Sequence, residues 1–195
     1  MKKLVFATNN EHKLRELRQI LTGEFELLSL HDIGCNEEIP ETGTTLESNA
    51  SQKSNYIWNK YGINCFADDT GLEINALGND PGVYSARYAG EEKSPEANMK
   101  KVLDKMADDT DRRARFRCVF SLIIGGIEHQ FEGVVEGVIL REKEGTGGFG
   151  YDPIFRPDGY KHSFASLSPK EKNNISHRGR AVMKLVEYLK NNHPE

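Results

Sequence analysis

The chain has 195 residues, 37% of them hydrophobic, which suffices for a sizeable core in one domain or two small lobes. Its net charge of −4 and pI near 5.9 argue against a nucleic-acid binder that relies on an overall basic surface, leaving only a local cationic cleft open. The three cysteines, Cys35, Cys65 and Cys118, are widely separated and form no C-x-x-C, which argues against a disulfide framework or a structural zinc site and points to a reducing cytoplasm.

At the start, the apolar run Leu4 to Ala7 is too short for a signal-peptide core, and no later segment is apolar enough to span a bilayer, so neither membrane nor nucleic acid is an expected partner. Lys3 to Ala7 reads as a short buried strand. Asn10 to Leu21 reads as a helix with Leu14, Leu17 and Leu21 on one face. A second strand is expected over Glu26 to Leu30. A second helix is expected over Thr45 to Tyr61, with Leu46, Ala50 and Ile57 on one stripe and Gly62 as its stop. Cys65 to Ala67 and Leu72 to Ile74 then flank "DDTG" as strand ends. A helix follows between Pro95 and Met106, and the β-prone runs Arg115 to Ile124 and Phe131 to Leu140 pair as a hairpin about Gly125-Gly126. In "SPKE", Ser168 as N-cap, Pro169 at the first helical position and Glu171 closing a capping box predict a short helix. A last helix, Ser176 to Lys190, turns Ala181, Leu185 and Leu189 inward. The sum is an α/β fold with a long mixed central sheet and flanking helices, read as a single domain over residues 1–195 because no clean boundary interrupts it.

Four stretches carry candidate chemistry. In "ATNNEHK", Thr8, Asn9 and Asn10 can cap the first helix and leave N–H groups aimed at an anion beside Lys13; an ordinary cap with a surface lysine is the alternative. In "FADDTG", Asp68 and Asp69 can offer hard oxygen ligands to Mg²⁺, and because neighbours on an extended segment face opposite ways, one of them is expected to ligate directly; a solvated acidic turn is the alternative. Glu41 or Glu47 in "ETGTTLE" can supply a second carboxylate, unless Glu47 merely serves the first turn of a helix capped by Thr44 or Thr45. "EGTGGFGYDP" spells G-x-G-x-x-G, yet Asp152-Pro153 follows where a dinucleotide fold needs a helix, and Asp152 is expected to be extended before the proline. No G-K-[ST] closes the run as in a Walker A loop, and no other kinase signature is present. What remains is a loop exposing backbone, with Phe149 offering a face for a flat ring. In "SPKEKNNISHRGRA", Lys172, His177 and Arg178 are either donors to phosphate or base oxygens or a solvated charge cluster.

In this order, "FATNNEHKLRE", "ETGTTLESNASQK", "FADDTGLEINALGNDPGVYSARYAG", "GTGGFGYDPIF" and "LSPKEKNNISHRGRA" resemble the inosine/xanthosine triphosphate pyrophosphatases over nearly the whole chain. The resemblance implies two lobes around a nucleotide cleft, a homodimer, and Mg²⁺-dependent hydrolysis of ITP, dITP and XTP to monophosphate and pyrophosphate. It implies that Thr8, Asn9, Asn10, Lys13 and Lys53 grip the triphosphate, that Asp69 is catalytic and binds metal with Glu41 as a second contact, and that Thr70 touches substrate. By the same resemblance Phe149, Gly150, Tyr151 and Asp152 line the base and sugar pocket, and Lys172, His177 and Arg178 reach the base. Two positions depart from the family pattern: Asn9 replaces a frequent glycine, its tolerance of left-handed geometry being the expected remedy, and Ser54 replaces an alanine. A broader pyrophosphatase acting on modified pyrimidines and a non-catalytic nucleotide-binding protein are the competing readings; the Asp68-Asp69 pair weighs against the second.

Overall fold

The computed structural model describes residues 2–21 and 25–192. In chain order its main elements are β1 (Lys2–Phe6), α1 (Glu11–Ile20), β2 (Phe25–Leu28), α2 (Leu46–Tyr61), β3 (Cys65–Ile74), β4 (Pro81–Gly82), α3 (Pro95–Met106), β5 (Arg113–Ile124), β6 (Ile127–Ile139), β7 (Phe155–Pro157), α4 (Pro169–Ile175) and α5 (His177–Asn192). The sheet is mixed, in the order β2-β1-β3-β5-β6-β7, with β4 beside β3. β1 pairs in parallel with β2 and with β3, while β4 on β3 and β7 on β6 are antiparallel. Among the described residues, no helix is long and apolar enough to cross a membrane.

The chain divides into two compact units, one of Met1–Asp69, Cys118–Gly133 and Arg178–Glu195, the other of Thr70–Arg117 and Val134–His177. Two of the boundaries fall inside motifs: between Asp69 and Thr70, and between His177 and Arg178.

Strand alternation explains the first unit. Leu4, Phe6 and Phe66 point to one side, where they meet Leu14 and Leu17 of α1 and Ala181, Val182 and Leu185 of α5, with the Phe6 and Phe66 rings stacked at 4.7 Å. Val5, Ala7, Cys65 and Ala67 point to the other side, where Ile57 of α2 packs. Helices therefore cover both faces of this part of the sheet, and each fully buried large apolar side chain contributes on the order of 1.5–3 kcal/mol. The second unit has its own core, in which Met99, Val102 and Met106 of α3 join Leu72, Ile74, Phe116, Phe155 and Phe164.

Most helix boundaries follow the caps read from sequence. Thr45 caps α2 by accepting from the Ser48 N–H, Gly62 ends it by donating to the Trp58 carbonyl, and Ser168 and Glu171 form the capping box of α4. One strand differs from expectation: β3 runs unbroken through "DDTG", with Asp68 and Asp69 buried rather than in a solvated turn. A strand can bury two adjacent carboxylates only if each finds polar partners on its own face.

Candidate active site

The same alternation that separates the two cores separates the two aspartates. Asp68 shares the face of Phe66, toward α1 and α5, and is 1% exposed. There Lys13 of α1 donates to both its oxygens, at 2.9 Å and 2.8 Å, and the Nε of Arg178 from α5 stands 3.6 Å from Oδ2. Arg178 also donates to Glu16, one helical turn beyond Lys13 on α1. Burial works to raise the Asp68 pKa, but Lys13, Arg178 and Lys53 outweigh it and hold the carboxyl well below the usual range. Burial likewise works against the Arg178 charge, and Glu16 and Asp68 overcome it, raising its pKa. Lys13 is thus neither a solvated surface lysine nor an isolated phosphate cation. It is ion-paired, with its side chain 14% exposed.

Asp69 takes the opposite face, toward α2, where Asn49 Nδ2 donates to its Oδ2 at 3.0 Å. Here burial wins over Lys53, Lys13 and Asn49, and the Asp69 pKa lies above the ordinary aspartate value. Lys53, one turn after Asn49, is buried and ion-paired to Glu41. Desolvation disfavours the Lys53 ammonium, yet Asp69, Glu41 and Asp68 raise its pKa overall. Glu41 is itself pushed up by burial and brought below its ordinary value by Lys53. The first unit thus brings together Lys13, Glu41, Lys53, Asp68, Asp69 and Arg178.

The helix start differs from the expected anion cradle. Asn10 Oδ1 accepts from the His12 and Lys13 N–H groups at 3.0 Å and 3.2 Å, and Thr8 Oγ1 accepts from the Asn10 N–H at 3.2 Å. These three donors are engaged by the chain's own side chains, so what α1 presents to an anion here is its dipole and Lys13 rather than those N–H groups. Asn9 is exposed. Among the described residues the non-glycine positions at positive φ are Asn79 and Lys93, so Asn9 in place of glycine calls on no left-handed geometry.

In the second unit the glycine-rich loop folds onto Asp152. Asp152 Oδ2 accepts from the Phe149 N–H and from Lys172 Nζ, each at 2.7 Å, and Lys172 also lies 4.7 Å from the centre of the Phe149 ring. A Cβ on Gly148 would stand 2.1 Å from Asp152 Oδ2, so the loop closes only with glycine there. Gly150 and Tyr151 continue the loop; the Tyr151 hydroxyl donates to the Ser85 carbonyl at 2.7 Å, and burial pushes its pKa up. Asp152 is not extended: it starts a three-residue 3₁₀ turn, Asp152–Ile154, closed by the Ile154 N–H on the Tyr151 carbonyl at 3.0 Å. Its side-chain bond to the Phe149 N–H fixes it in that turn against the preference set by Pro153. One turn is still too short to receive a pyrophosphate as a dinucleotide-fold helix does.

Lys172, His177 and Arg178 are 5%, 4% and 2% exposed, which removes the solvated-cluster reading. Lys172 and His177 belong to the second unit, where the His177 ring stacks on Phe116 at 4.6 Å, whereas Arg178 joins Asp68 and Glu16 in the first. Thr70 is the half-exposed residue of an otherwise buried β3. Glu47 is half-buried in the first turn of α2, the helix-start alternative for that residue.

Matching the chain to known families and proteins gives a consistent result. The Ham1 family model covers residues 4–188. The chain belongs to the Ham1 family. A dITP/XTP pyrophosphatase of Christiangramia forsetii is 54% identical to this Ham1-family chain over 96% of its length and 98% of the relative's. Ham1 proteins of Staphylococcus aureus and Coxiella burnetii superimpose with TM-scores of 0.89 and 0.90, at 40% and 39% identity, over 97% and 98% of this chain and 99% and 100% of theirs. The fold and family read from the five sequence blocks are borne out.

Sequence reasoning missed Glu16 and Asn49. Both were within reach: Glu16 lies three residues after Lys13 and Asn49 four before Lys53, spacings that share a helix face. The second departure from the family pattern is also accounted for. Ser54 is fully buried, with its hydroxyl 2.6 Å from that of Ser121, which in turn reaches Glu128 at 2.8 Å, so a serine replaces alanine without leaving a hydroxyl unmet.

Proposed function

We propose that this chain hydrolyses deaminated purine nucleoside triphosphates, namely dITP and XTP as in the names of its relatives and ITP by the same base chemistry, to the monophosphate and pyrophosphate, removing them from the nucleotide pool. The observation that carries the reading is the placement of Asp69: a buried carboxylate held by Asn49, beside an Asp68 paired with Lys13 and a Glu41 paired with Lys53, the two cations that a triphosphate needs.

Mg²⁺ suits the donors present. Among the described residues no group of three or more His, Cys, Asp or Glu side chains is arranged to hold a metal ion alone. Mg²⁺, however, keeps several waters and takes one or two carboxylates together with substrate phosphates. Asp69 and Glu41, both acting on Lys53, would hold it; Asp68, with both oxygens on Lys13, is engaged otherwise. When bound, the ion neutralises phosphate charge as a Lewis acid.

The protein groups do the rest. Water attacks the α-phosphorus, the bond to the bridging oxygen of the β-phosphate breaks, and pyrophosphate leaves. Asp69 positions the water for attack, and the proton released as the new P–O bond forms passes to solvent. Lys13 and Lys53 stabilise the charge that builds on the departing oxygens. Base choice falls to the Lys172 ammonium, a donor from which a purine six-oxygen can accept where an adenine amino group cannot. A homodimer in the cytoplasm completes the proposal, and sedimentation would test the dimer.

Pyrophosphate release from dITP, XTP and ITP is expected to exceed that from ATP by at least about 100-fold, a margin typical of sites that leave polar groups unpaired with the wrong substrate; it is expected to exceed that from GTP too, but guanine shares the six-oxygen, so that rejection rests on its two-amino group. It is also expected to need Mg²⁺ and to collapse in Asp69→Asn. Equal rates on ATP, or full turnover in that variant, would sink the proposal. High turnover on modified pyrimidines would replace it with the broader pyrophosphatase, and tight ITP binding without turnover with a non-catalytic binder.

A further inference from the structure

We propose that Asn49 is a positioning residue that locks Asp69 and the Glu41 loop into one unit, so that the two carboxylates keep a fixed mutual placement before any ligand arrives. The inference rests on the reading of Asp69 and Glu41 given above.

Asn49 is 1% exposed, yet polar on both atoms of its amide. The Gly43 N–H donates to Asn49 Oδ1 at 2.7 Å, and Asn49 Nδ2 donates to Asp69 Oδ2 at 3.0 Å. The orientation of the amide follows from its neighbours: an N–H can meet only the oxygen, and a carboxylate can meet only the NH₂. One side chain therefore joins β3 to the segment two residues after Glu41. That segment comes close because residue 43 is glycine, since a Cβ there would stand 2.1 Å from Ser48 Oγ and 2.7 Å from Asn49 Oδ1.

Two neighbours on α2 tie the same segment. Gln52 Oε1 accepts from the Thr42 N–H at 2.9 Å, and Lys53 pairs with Glu41. Residues 49, 52 and 53 share one helix face, so Glu41, Thr42 and Gly43 are each held by a different side chain of α2. Asn49 reaches further than this segment, because its other amide atom donates to Asp69. Partners that orient metal-binding carboxylates typically change metal affinity or activity by about 10–100-fold when removed.

Four variants separate the functions of the amide. Asn49→Asp keeps an acceptor for Gly43 but loses the donor to Asp69. Asn49→Leu loses both at similar volume. Gly43→Ala forces the loop away while leaving Asn49 on Asp69, and Gln52→Leu releases Thr42 alone. Each is measured for kcat and KM with dITP, for Mn²⁺ binding without nucleotide by electron paramagnetic resonance, and for thermal unfolding. Asn49→Asp and Asn49→Leu are expected to lose about 10–100-fold in kcat with KM within about threefold. Asn49→Leu and Gly43→Ala are expected to bind Mn²⁺ about tenfold or more weakly. Gln52→Leu is expected to stay near the parent. Lowered melting temperature with unchanged kcat and Mn²⁺ binding would reduce Asn49 to a packing residue and overturn the inference. If Asn49→Leu does not fold, Asn49→Asp and Gly43→Ala decide between the two roles by the same measurements. The two readings fail separately: an inactive Asp69→Asn beside fully active Asn49 variants removes only the positioning role, whereas an active Asp69→Asn removes the reading of the site beneath it.

Discussion

Lys172→Met tests how much the closed glycine loop owes to one buried ion pair. Lys172 and Asp152 meet at 2.7 Å with side chains 7% and 4% exposed. At an effective dielectric of about 20, unit charges that close attract by about 6 kcal/mol. Taking each ion out of water costs several kcal/mol, so the pair as a whole contributes little net stability compared with two apolar groups. Removing only the lysine is different, because it takes away the cation paired with a carboxylate that stays buried, and about 3–5 kcal/mol should be lost. For a chain of this length that corresponds to roughly 6–20 °C in melting temperature. The double variant Lys172→Met/Asp152→Asn should lose clearly less than the sum of the two single changes. Lys100→Met is the control: its partner Asp104 lies at 2.6 Å, but the side chains are 74% and 62% exposed, and a loss below about 0.5 kcal/mol is expected. Urea unfolding followed by circular dichroism gives all four numbers. A Lys172→Met loss as small as that of Lys100→Met, or simple additivity in the double variant, would refute the reasoning.

Asp68 links stability to pH. Its carboxyl is depressed in the folded state by Lys13 and Arg178 against the pull of burial, so its stabilisation is fully present above the ordinary aspartate pKa and is lost as pH falls toward the folded value. Asp68→Asn should therefore be less stable at neutral pH and show a flatter acid limb in unfolding free energy; an unchanged limb would exclude Asp68 as its source. Gly148→Ala should disorder the contact of the loop with Asp152, raising KM for dITP by an order of magnitude or so with little effect on Mn²⁺ binding, while an unaltered KM would show that the close approach at Gly148 is unimportant. All three cysteines are buried, and the Cys65 thiol is pushed up to about 12 by burial, so a thiol reagent at neutral pH should label the chain only as it unfolds. Rapid labelling of the native protein would contradict this.

The helices are legible in the sequence because their ends are written in local chemistry: Thr45, Ser168 with Glu171, and Gly62 act within a few residues of themselves. α3 is legible for the same reason, with Ser94 as cap and Pro95 in its first turn. "DDTG" suggests a break because adjacent carboxylates and a glycine usually mark a solvated turn. What keeps β3 extended is supplied from far away in sequence, by Lys13, Asn49 and Arg178. Asp152 defeats local reading in a related way: the proline rule is local, whereas the bond from the Phe149 N–H to Asp152 forms only once the loop has closed.

Residue types and their alternation set which face each side chain takes, but the pairing of charges decides what each can do. Asp68 and Asp69 are chemically identical neighbours on one strand, yet Lys13 and Arg178 overcome burial to hold the first far below its ordinary pKa, whereas burial prevails over Lys53, Lys13 and Asn49 at the second and raises it. Asp68 anchors Lys13 and Arg178, while Asp69 stands with Asn49 and Lys53 on the α2 side. His177 and Arg178 show the same division at a helix start, one stacked on Phe116 in the second unit, the other paired with Asp68 and Glu16 in the first. Reading "DD" and "HR" as single motifs hides this. In each case two adjacent residues are sent by one step of the backbone into different surroundings, and so into different chemistry.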